Sequence, residues 1–302
     1  MASYEFVTVD VFTDRRFGGN PLAVFPEAEG LSDAAMQALA LEFNLSETAF
    51  VLPPENPQHH ARVRIFTPRA ELPFAGHPNV GTAYVLARRW DNPVEHLTFE
   101  EGAGLVRVHI LRDAAGAPTG ARLSASHSLA LGLGLPTEVV AACAGLAPAD
   151  IATGAHEPLE ASVGLPFFVA EVTDVATLAR ANPDVAAFRH AQPRFPEAPA
   201  QFPLLLYARR DGDALRLRTR MFAPLAGVAE DPATGSANAA LAALLTSLAP
   251  GDNLHLEFDI EQGIELGRPS RLFATARKTA EGPVTATIGG NCVPVLRGAV
   301  DL

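Results

Sequence analysis

Two short segments, residues 75–83 and 231–239, each place glycine and polar residues directly before an apolar, alanine-rich run. Such a run predicts a buried helix, and the first turn of a helix presents backbone N–H groups that have no partner within the helix. Two helix starts of this kind, aimed at each other, can hold a small anion. The glycine and polar residues of interest at these two helix starts are Gly76, His77, Asp231, Gly235 and Ser236.

Glu47 is the candidate acid/base. It stands at the entry to a predicted apolar strand, with Leu45 and Phe50 among its neighbours. These neighbours predict partial desolvation, which raises the pKa of a carboxyl and suits it to take and return a proton near neutral pH. The alternative is a solvated glutamate at a strand end, and the local sequence by itself favours that alternative.

The remaining candidates also have structural interpretations. His77 opens the first predicted helix, where the helix dipole and apolar packing favour a neutral imidazole that can exchange hydrogen bonds with a substrate oxygen. A capping role is equally compatible with its position. Asp231 and Ser236 are ordinary capping residues. Their combination with Gly76 and His77 favours a functional site.

The composition argues against several classes of function. The 302 residues carry a formal net charge of −11 and scattered arginines, so we expect no nucleic-acid partner. Lys278 is the only lysine, and its polar setting argues against Schiff-base chemistry. Cys143 and Cys292 lack metal-site spacing and are predicted to be buried thiols. No dinucleotide or P-loop motif occurs, and we expect no cofactor and no metal.

The hydropathy pattern argues against a membrane partner. No run of about 18 apolar residues predicts a transmembrane helix. Residues 4–12 alternate like a strand and lack the basic segment and apolar core of a signal peptide. These features predict a cytoplasmic protein.

The same succession of elements is predicted twice. In each half, strands and a surface helix precede the buried helix, and a strand with a turn follows it, which suggests duplication of one structural unit. The halves meet near residues 124–127, and the last strands are predicted to return to the first half. We therefore predict a first domain of residues 1–124 with a C-terminal strand at about 284–302, and a second domain of residues 125–283. The proline-rich residues 182–203 are predicted to be a surface excursion.

These residues resemble the phenazine-biosynthesis PhzF-like proteins, which have the diaminopimelate epimerase fold. The resemblance spans nearly the whole chain, in the order of the family. The matching pieces are Val9-Asp10-Val11-Phe12 with Gly18-Gly19-Asn20-Pro21, Asn44-Leu45-Ser46-Glu47-Thr48-Ala49-Phe50, Phe74-Ala75-Gly76-His77-Pro78 to Gly81-Thr82-Ala83, Glu230-Asp231-Pro232-Ala233-Thr234-Gly235-Ser236-Ala237, and Gln262-Gly263 with Gly267-Arg268-Pro269-Ser270.

The resemblance implies an α+β fold of two similar domains, each a curved mixed β-sheet wrapped around a central α-helix, with the active site in the cleft between the domains. It implies that Glu47 is the catalytic acid/base and that His77, Asp231 and Ser236 orient the substrate. Gly76 and Gly235 would offer backbone N–H groups to a substrate carboxylate. It also suggests a homodimer, although no stretch of the sequence requires one.

The leading hypothesis is a cofactor-independent isomerase that shifts a proton on a small carboxylate-bearing metabolite. Related epimerases and racemases use two cysteines at the two helix starts, whereas this chain has Gly76-His77 and Gly235-Ser236 there. Two-base thiol chemistry is therefore disfavoured, while isomerisation and epimerisation through Glu47 both stay open. The alternative is a non-catalytic binding or regulatory protein that retains the cleft.

Overall fold

The computed structural model describes residues 2–90 and 93–302, and the chain divides into two units. Unit 1 consists of Met1–Ser124 and Gly289–Leu302, and unit 2 of Ala125–Ile288. The last strand, Thr285–Asp301, runs through the boundary at Gly289.

The described residues of unit 1 form two helices and a mixed set of strands. Its elements are β1 (Ser3–Val11), β2 (Asn20–Phe25), α1 (Asp33–Phe43), β3 (Glu47–Leu52), β4 (Ala61–Phe66), β5 (Glu71–Leu72), α2 (Gly76–Arg89), β6 (His96–Glu101), β7 (Gly104–Arg112), β8 (Pro118–Ser124) and the second part of β18 (Thr285–Asp301).

Unit 2 contains the remaining elements. They are β9 (Ala130–Gly134), α3 (Thr137–Ala144), β10 (Ile151–Ala152), β11 (Leu159–Ser162), β12 (Pro166–Val172), α4 (Val175–Arg180), α5 (Val185–Ala191), β13 (Leu204–Arg210), β14 (Asp213–Ala223), β15 (Val228–Asp231), α6 (Gly235–Leu248), β16 (Leu254–Gln262) and β17 (Ser270–Lys278), with short 3₁₀ turns at Pro148–Asp150, Gln192–Arg194 and Pro224–Ala226.

The strand pairings of the two units follow one scheme. In unit 1, β2 pairs in parallel with β3 and β4 in parallel with β6, and in unit 2 the pairs β12–β13 and β14–β16 are likewise parallel. The pairs β3–β4 and β6–β7 are antiparallel, as are β13–β14 and β16–β17. The repeated succession predicted from the sequence is therefore a repeated topology.

The helix α2 is the core of unit 1. Every residue from His77 to Ala87 is buried, and the helix packs against β1, β2, β3, β7 and β8. Gly81 permits this packing, because a Cβ there would lie 2.6 Å from a methyl carbon of Leu22 and 2.8 Å from one of Val11. The strands thus approach the helix closely from more than one side, as predicted for a buried helix.

The helix α6 has the same place in unit 2, where it packs against β11, β12, β16 and β17. Its C-terminal carbonyls need partners outside the helix. The Lys278 ammonium donates to the carbonyls of Ser247 and Ala249 at 3.0 and 3.1 Å. The only lysine of the chain therefore caps a helix, and this contact accounts for its position.

The proline-rich residues 182–203 lie largely at the surface, as predicted, but buried side chains anchor them to unit 2. They contain α5, and the side chains of Phe188 and Phe202 are fully buried in the core of unit 2, with Phe195 packed against them. The ring centroids of Phe202 and Phe168 of β12 lie 4.7 Å apart, with the rings tilted by 44°. The three aromatic side chains are spaced by seven residues. Each buries apolar area against unit 2, and this holds the proline-rich segment in place.

The return of the chain end to the first half is confirmed. The strand β18 pairs antiparallel with β1, from Ser3 opposite Asp301 to Val11 opposite Cys292. Cys143 and Cys292 are both buried free thiols, and burial raises the pKa of each. Among the helices of the described residues, none is long and apolar enough to span a membrane.

Candidate active site

Glu47 and His77 form a close pair in unit 1. Glu47 begins β3, in register with Leu22 of β2, and His77 lies in the first turn of α2. The Glu47 Oε2 and His77 Nε2 atoms are 3.5 Å apart, and the two side chains are only 17% and 7% exposed. A strand start and a helix start therefore bring a carboxylate and an imidazole together in a largely desolvated position.

His77 is neutral. Burial lowers the pKa of its imidazole to about 3, against a smaller opposing effect of its hydrogen bond to the Pro21 carbonyl. Within residues 2–90 and 93–302, Nε2 has no hydrogen-bond partner, so Nδ1 is the nitrogen that donates to Pro21. The lone pair of the neutral ring is then on Nε2, the atom that faces Glu47.

The two buried helices begin without a side-chain cap. No side-chain hydrogen bond caps the N-terminus at Ala75 of α2 or at Thr234 of α6. The surface helices α1, α4 and α5 are capped by Ser32, Asp174 and Asp184, whereas α3, which starts after Pro136, is not. The first-turn N–H groups of α2 and α6 are therefore available to an anion.

Asp231 and Ser236 lie on either side of the N-cap of α6 in unit 2. Asp231 ends β15, and its Oδ2 accepts a hydrogen bond from the Thr234 hydroxyl. Gly235 and Ser236 follow as the first two residues of α6, where Ser236 is partly exposed. This segment therefore combines a carboxylate, a hydroxyl and helix N–H groups within six residues.

A buried amide fixes the segment before α6. Gln262, which is 0% exposed at the end of β16, donates from Nε2 to the Asp231 carbonyl at 2.8 Å. Its Oε1 accepts from the Thr234 N–H at 3.1 Å and from Asn238 Nδ2 at 2.7 Å. Gln262 thus ties the end of β15 to the first turn of α6, and the geometry of Asp231 depends on it.

The turn after Gln262 approaches the same segment closely. Gly263 has φ of 73°, and a Cβ there would lie 2.5 Å from the carbonyl oxygens of both Pro232 and Arg268. The Ser270 hydroxyl donates to the Pro232 carbonyl at 2.9 Å. A glycine is therefore required at position 263 for both its conformation and its clearance.

The six predicted site residues fall into two sets. The structure brings Glu47, Gly76 and His77 together in unit 1, at the starts of β3 and α2. It brings Asp231, Gly235 and Ser236 together in unit 2, around the start of α6. Each set contains one helix start and one carboxylate.

Three supporting residues were not predicted from the sequence: Thr234, Asn79 and Asn238. The two asparagines occupy the fourth position of α2 and α6, and each donates from Nδ2 to the N-cap carbonyl, at 3.0 Å to Ala75 and 2.9 Å to Thr234. The repeated spacing Gly-x-x-Asn, at Gly76 and Gly235, is the sequence signal that could have found them.

The described residues offer no evident metal-binding site. Residues 2–90 and 93–302 contain no group of three His, Cys, Asp or Glu side chains that could hold a metal ion. His59, which follows β3, is paired through Nδ1 with Glu100 Oε1 at 2.7 Å.

Comparison with known proteins defines the class. Residues 9–298 match the profile of the phenazine biosynthesis-like proteins, PhzC-PhzF. The chain is 39% identical to an uncharacterized isomerase of Mesorhizobium japonicum, over 99% of each chain. It is 35% identical to the trans-2,3-dihydro-3-hydroxyanthranilate isomerase of Pseudomonas chlororaphis, over 99% of this chain and 100% of the relative.

A solved structure agrees over the full length. The crystal structure of a PhzF-family phenazine biosynthesis protein from Bacillus anthracis superposes with a TM-score of 0.86 at 25% identity, covering 100% of both chains. The fold is thus the α+β, diaminopimelate epimerase-like fold, and the class is that of the isomerases built on it. The chain belongs to the PhzC-PhzF family, which confirms the resemblance inferred from the sequence motifs.

Proposed function

We propose that this chain catalyses a cofactor-independent proton shift on a small carboxylate-bearing metabolite, with Glu47 as the general acid/base. The observation that carries this proposal is the pairing of the largely buried Glu47 with a neutral His77 at 3.5 Å. A carboxylate in such a position can remove a proton from a carbon that conjugation has made acidic. One carboxylate suffices when the donor and acceptor carbons both lie within its reach.

His77 has a distinct part in this mechanism. When Glu47 has taken a proton, its O–H can donate to the Nε2 lone pair of His77, which stabilises the protonated carboxyl between the two half-steps. The hydrogen bond from Nδ1 to the Pro21 carbonyl fixes the tautomer that makes this possible. Because burial lowers the pKa of His77 to about 3, its imidazole is too weak a base to take this proton from Glu47.

The uncapped helix starts supply the binding groups. Gly76 would present its N–H to the substrate from α2, and Gly235 and Ser236 would do so from α6, with Asp231 orienting a polar group. Preorganised N–H groups stabilise the negative charge that develops on a conjugated carboxylate after the proton has left. We propose that both sets contribute to substrate binding.

The name of one relative supports the proposed substrate class. The Pseudomonas chlororaphis enzyme is named for trans-2,3-dihydro-3-hydroxyanthranilate, which fits a conjugated, carboxylate-bearing molecule. We propose this compound as the first substrate to test. The alternative of a non-catalytic binding protein is not favoured, because the relatives that match over the whole chain are named as isomerases.

Incubation in heavy water with this compound tests the proposal. The wild-type protein should convert it to an isomer, and NMR should show deuterium on carbon when the transferred proton exchanges with solvent. The Glu47→Gln variant should retain ligand binding but lose about 10²- to 10⁴-fold in rate, which is the usual contribution of a general acid/base.

Glu42→Gln is the matched control, because Glu42 lies exposed on α1, five residues from Glu47. It should turn over substrate at the wild-type rate. Full activity in Glu47→Gln, with the same fold by circular dichroism, would remove Glu47 from the mechanism.

A further inference from the structure

Glu101 is a buried carboxyl that the proposed mechanism does not use. It ends β6, and both of its carboxyl oxygens are buried although part of the residue is exposed. Within the described residues, neither oxygen is in hydrogen-bonding geometry with a partner. The side-chain amide of Asn79, in the first turn of α2, is the polar group beside it. An ionised carboxylate in this position is costly, because burial removes its hydration.

The repeated topology gives Glu101 a counterpart in unit 2. Glu101 is the last residue of β6 and precedes Gly102, just as Gln262 is the last residue of β16 and precedes Gly263. The strands β6 and β16 occupy the same place in the pairing scheme. Their partners on the helices, Asn79 and Asn238, also occupy the same position of α2 and α6.

Gln262, the counterpart of Glu101, has well-defined hydrogen bonds. The Oε1 of Gln262 accepts from Asn238 at 2.7 Å while its Nε2 donates to the segment before α6. A side chain that reproduces the contacts of Gln262 both accepts and donates. An ionised glutamate only accepts, whereas a protonated glutamate has a carbonyl oxygen and an O–H group, in the shape of a glutamine.

The charged groups around Glu101 are engaged elsewhere. On β4, Arg62 pairs with Glu55, and Arg64 pairs with Asp33 and with Glu71 of β5. Glu100 pairs with His59, and Arg107 of β7 bonds His96. His77, on α2, is neutral. Burial raises the pKa of Glu101 to about 8, with the Asn79 amide as the smaller, opposing influence.

We infer that Glu101 is a neutral carboxylic acid that positions the first turn of α2, as the Gln262 amide positions the start of α6. It is a positioning residue, because it acts through Asn79 on the turn that carries Gly76 and His77. This inference rests on the proposed function in one respect only, which is the role assigned there to Gly76 and His77. Its ionisation would place a negative charge beside the helix start that is proposed to receive a carboxylate.

Unfolding in urea as a function of pH tests the protonation state. If Glu101 is neutral in the folded protein but ionises near 4.5 in the unfolded chain, the unfolded state binds one proton fewer between pH 4.5 and about 8. Rising pH then favours unfolding. Relative to Glu101→Gln, the unfolding equilibrium constant of the wild type should increase about tenfold per pH unit over this window and level off above it.

Glu100→Gln is the matched control, because hydrogen bonds from the Asn56 and Glu55 backbone hold the pKa of Glu100 at about 2. The pH dependence of unfolding in this variant should differ from that of the wild type only below about pH 4.5, where acidification removes the stabilisation that the Glu100 carboxylate provides at higher pH. Identical pH dependence of wild type and Glu101→Gln from pH 4.5 to 9 would overturn the inference.

The backbone amide resonances of Gly76 and His77 test the positioning role, and neither experiment requires turnover. In the wild type these resonances should shift with a midpoint near pH 8, and in Glu101→Gln they should not. Glu101→Gln should keep the wild-type chemical shifts of pH 7, since it is the conservative replacement. Resonances that are independent of pH in both proteins would overturn the positioning role, whatever the activity of the enzyme.

Discussion

At the scale of single residues, His77 shows how burial decides a chemical role. Its ring is enclosed at the start of α2, with one nitrogen bonded to the Pro21 carbonyl and the other directed at Glu47. An imidazole whose pKa is near 6.5 in water is thereby kept neutral throughout the physiological range. The sequence correctly predicts this neutral state, because a helix start followed by an apolar run removes water from the ring.

The stability of the protein should depend on His77 in acid. Between pH 6.5 and about 3 the unfolded chain protonates this histidine and the folded chain does not, so acidification favours unfolding. The free energy of unfolding should fall through His77 by up to about 1.4 kcal/mol per pH unit in this window. His77→Asn should remove that part of the slope in urea titrations. His190→Asn, on the exposed side of α5, should leave the slope unchanged.

At the scale of elements, the turn after β16 holds the start of α6. Gly263 and Gly267 both have positive φ, 73° and 69°, but only Gly263 lies against the carbonyls of Pro232 and Arg268. A Cβ at Gly267 would meet no atom within 4 Å. The two glycines therefore separate the cost of conformation from the cost of a steric clash.

Alanine substitutions at the two glycines should differ in effect. Gly267→Ala should lower the free energy of unfolding by about 1 kcal/mol, the cost of a left-handed alanine. Gly263→Ala should cost about 3 kcal/mol or more, because the clash with backbone adds to it. Thermal and urea unfolding measure the loss of stability in both variants. Equal losses would show that the backbone near Pro232 moves away from the added Cβ at little cost in free energy.

The elements differ in how far the sequence predicts them. The buried helices α2 and α6 follow from their alanine-rich runs, and the resemblance of the motifs gave the family. The surface location of residues 182–203 was predicted, but the buried anchors Phe188 and Phe202 were not, since proline indicates a loop and does not show which of its side chains enter the core. Gln262 was recognised only as part of a motif, because its partners lie 24 to 31 residues away in sequence and meet it only after folding.

At the scale of the whole molecule, the last strand serves both units. The second part of β18 completes unit 1 by pairing with β1 along Leu296–Asp301. Removal of residues 296–302 leaves one edge of β1 unpaired from Ser3 to Thr8. The fold of unit 1 therefore depends on the final residues of the sequence.

Tryptophan fluorescence can measure how the stability of unit 1 depends on these final residues. Trp90, the only tryptophan, directly follows α2 in unit 1. Loss of residues 296–302 should lower the free energy of unfolding on the order of 3 kcal/mol, since several net hydrogen bonds are lost at about 1 kcal/mol each. The Trp90 emission should report this as an earlier transition. A chain that lacks only Leu302 should unfold like the full-length protein.

The helix cap made by Lys278 has a practical consequence for chemical modification. Its amine is the only lysine amine in the sequence, and it is hydrogen-bonded to the carbonyls of Ser247 and Ala249. An acylating reagent must first release both bonds, so the rate of labelling at this position measures how often the end of α6 opens. The mass increment on the peptide that contains Lys278 then reports on the local dynamics of unit 2 without any engineered probe.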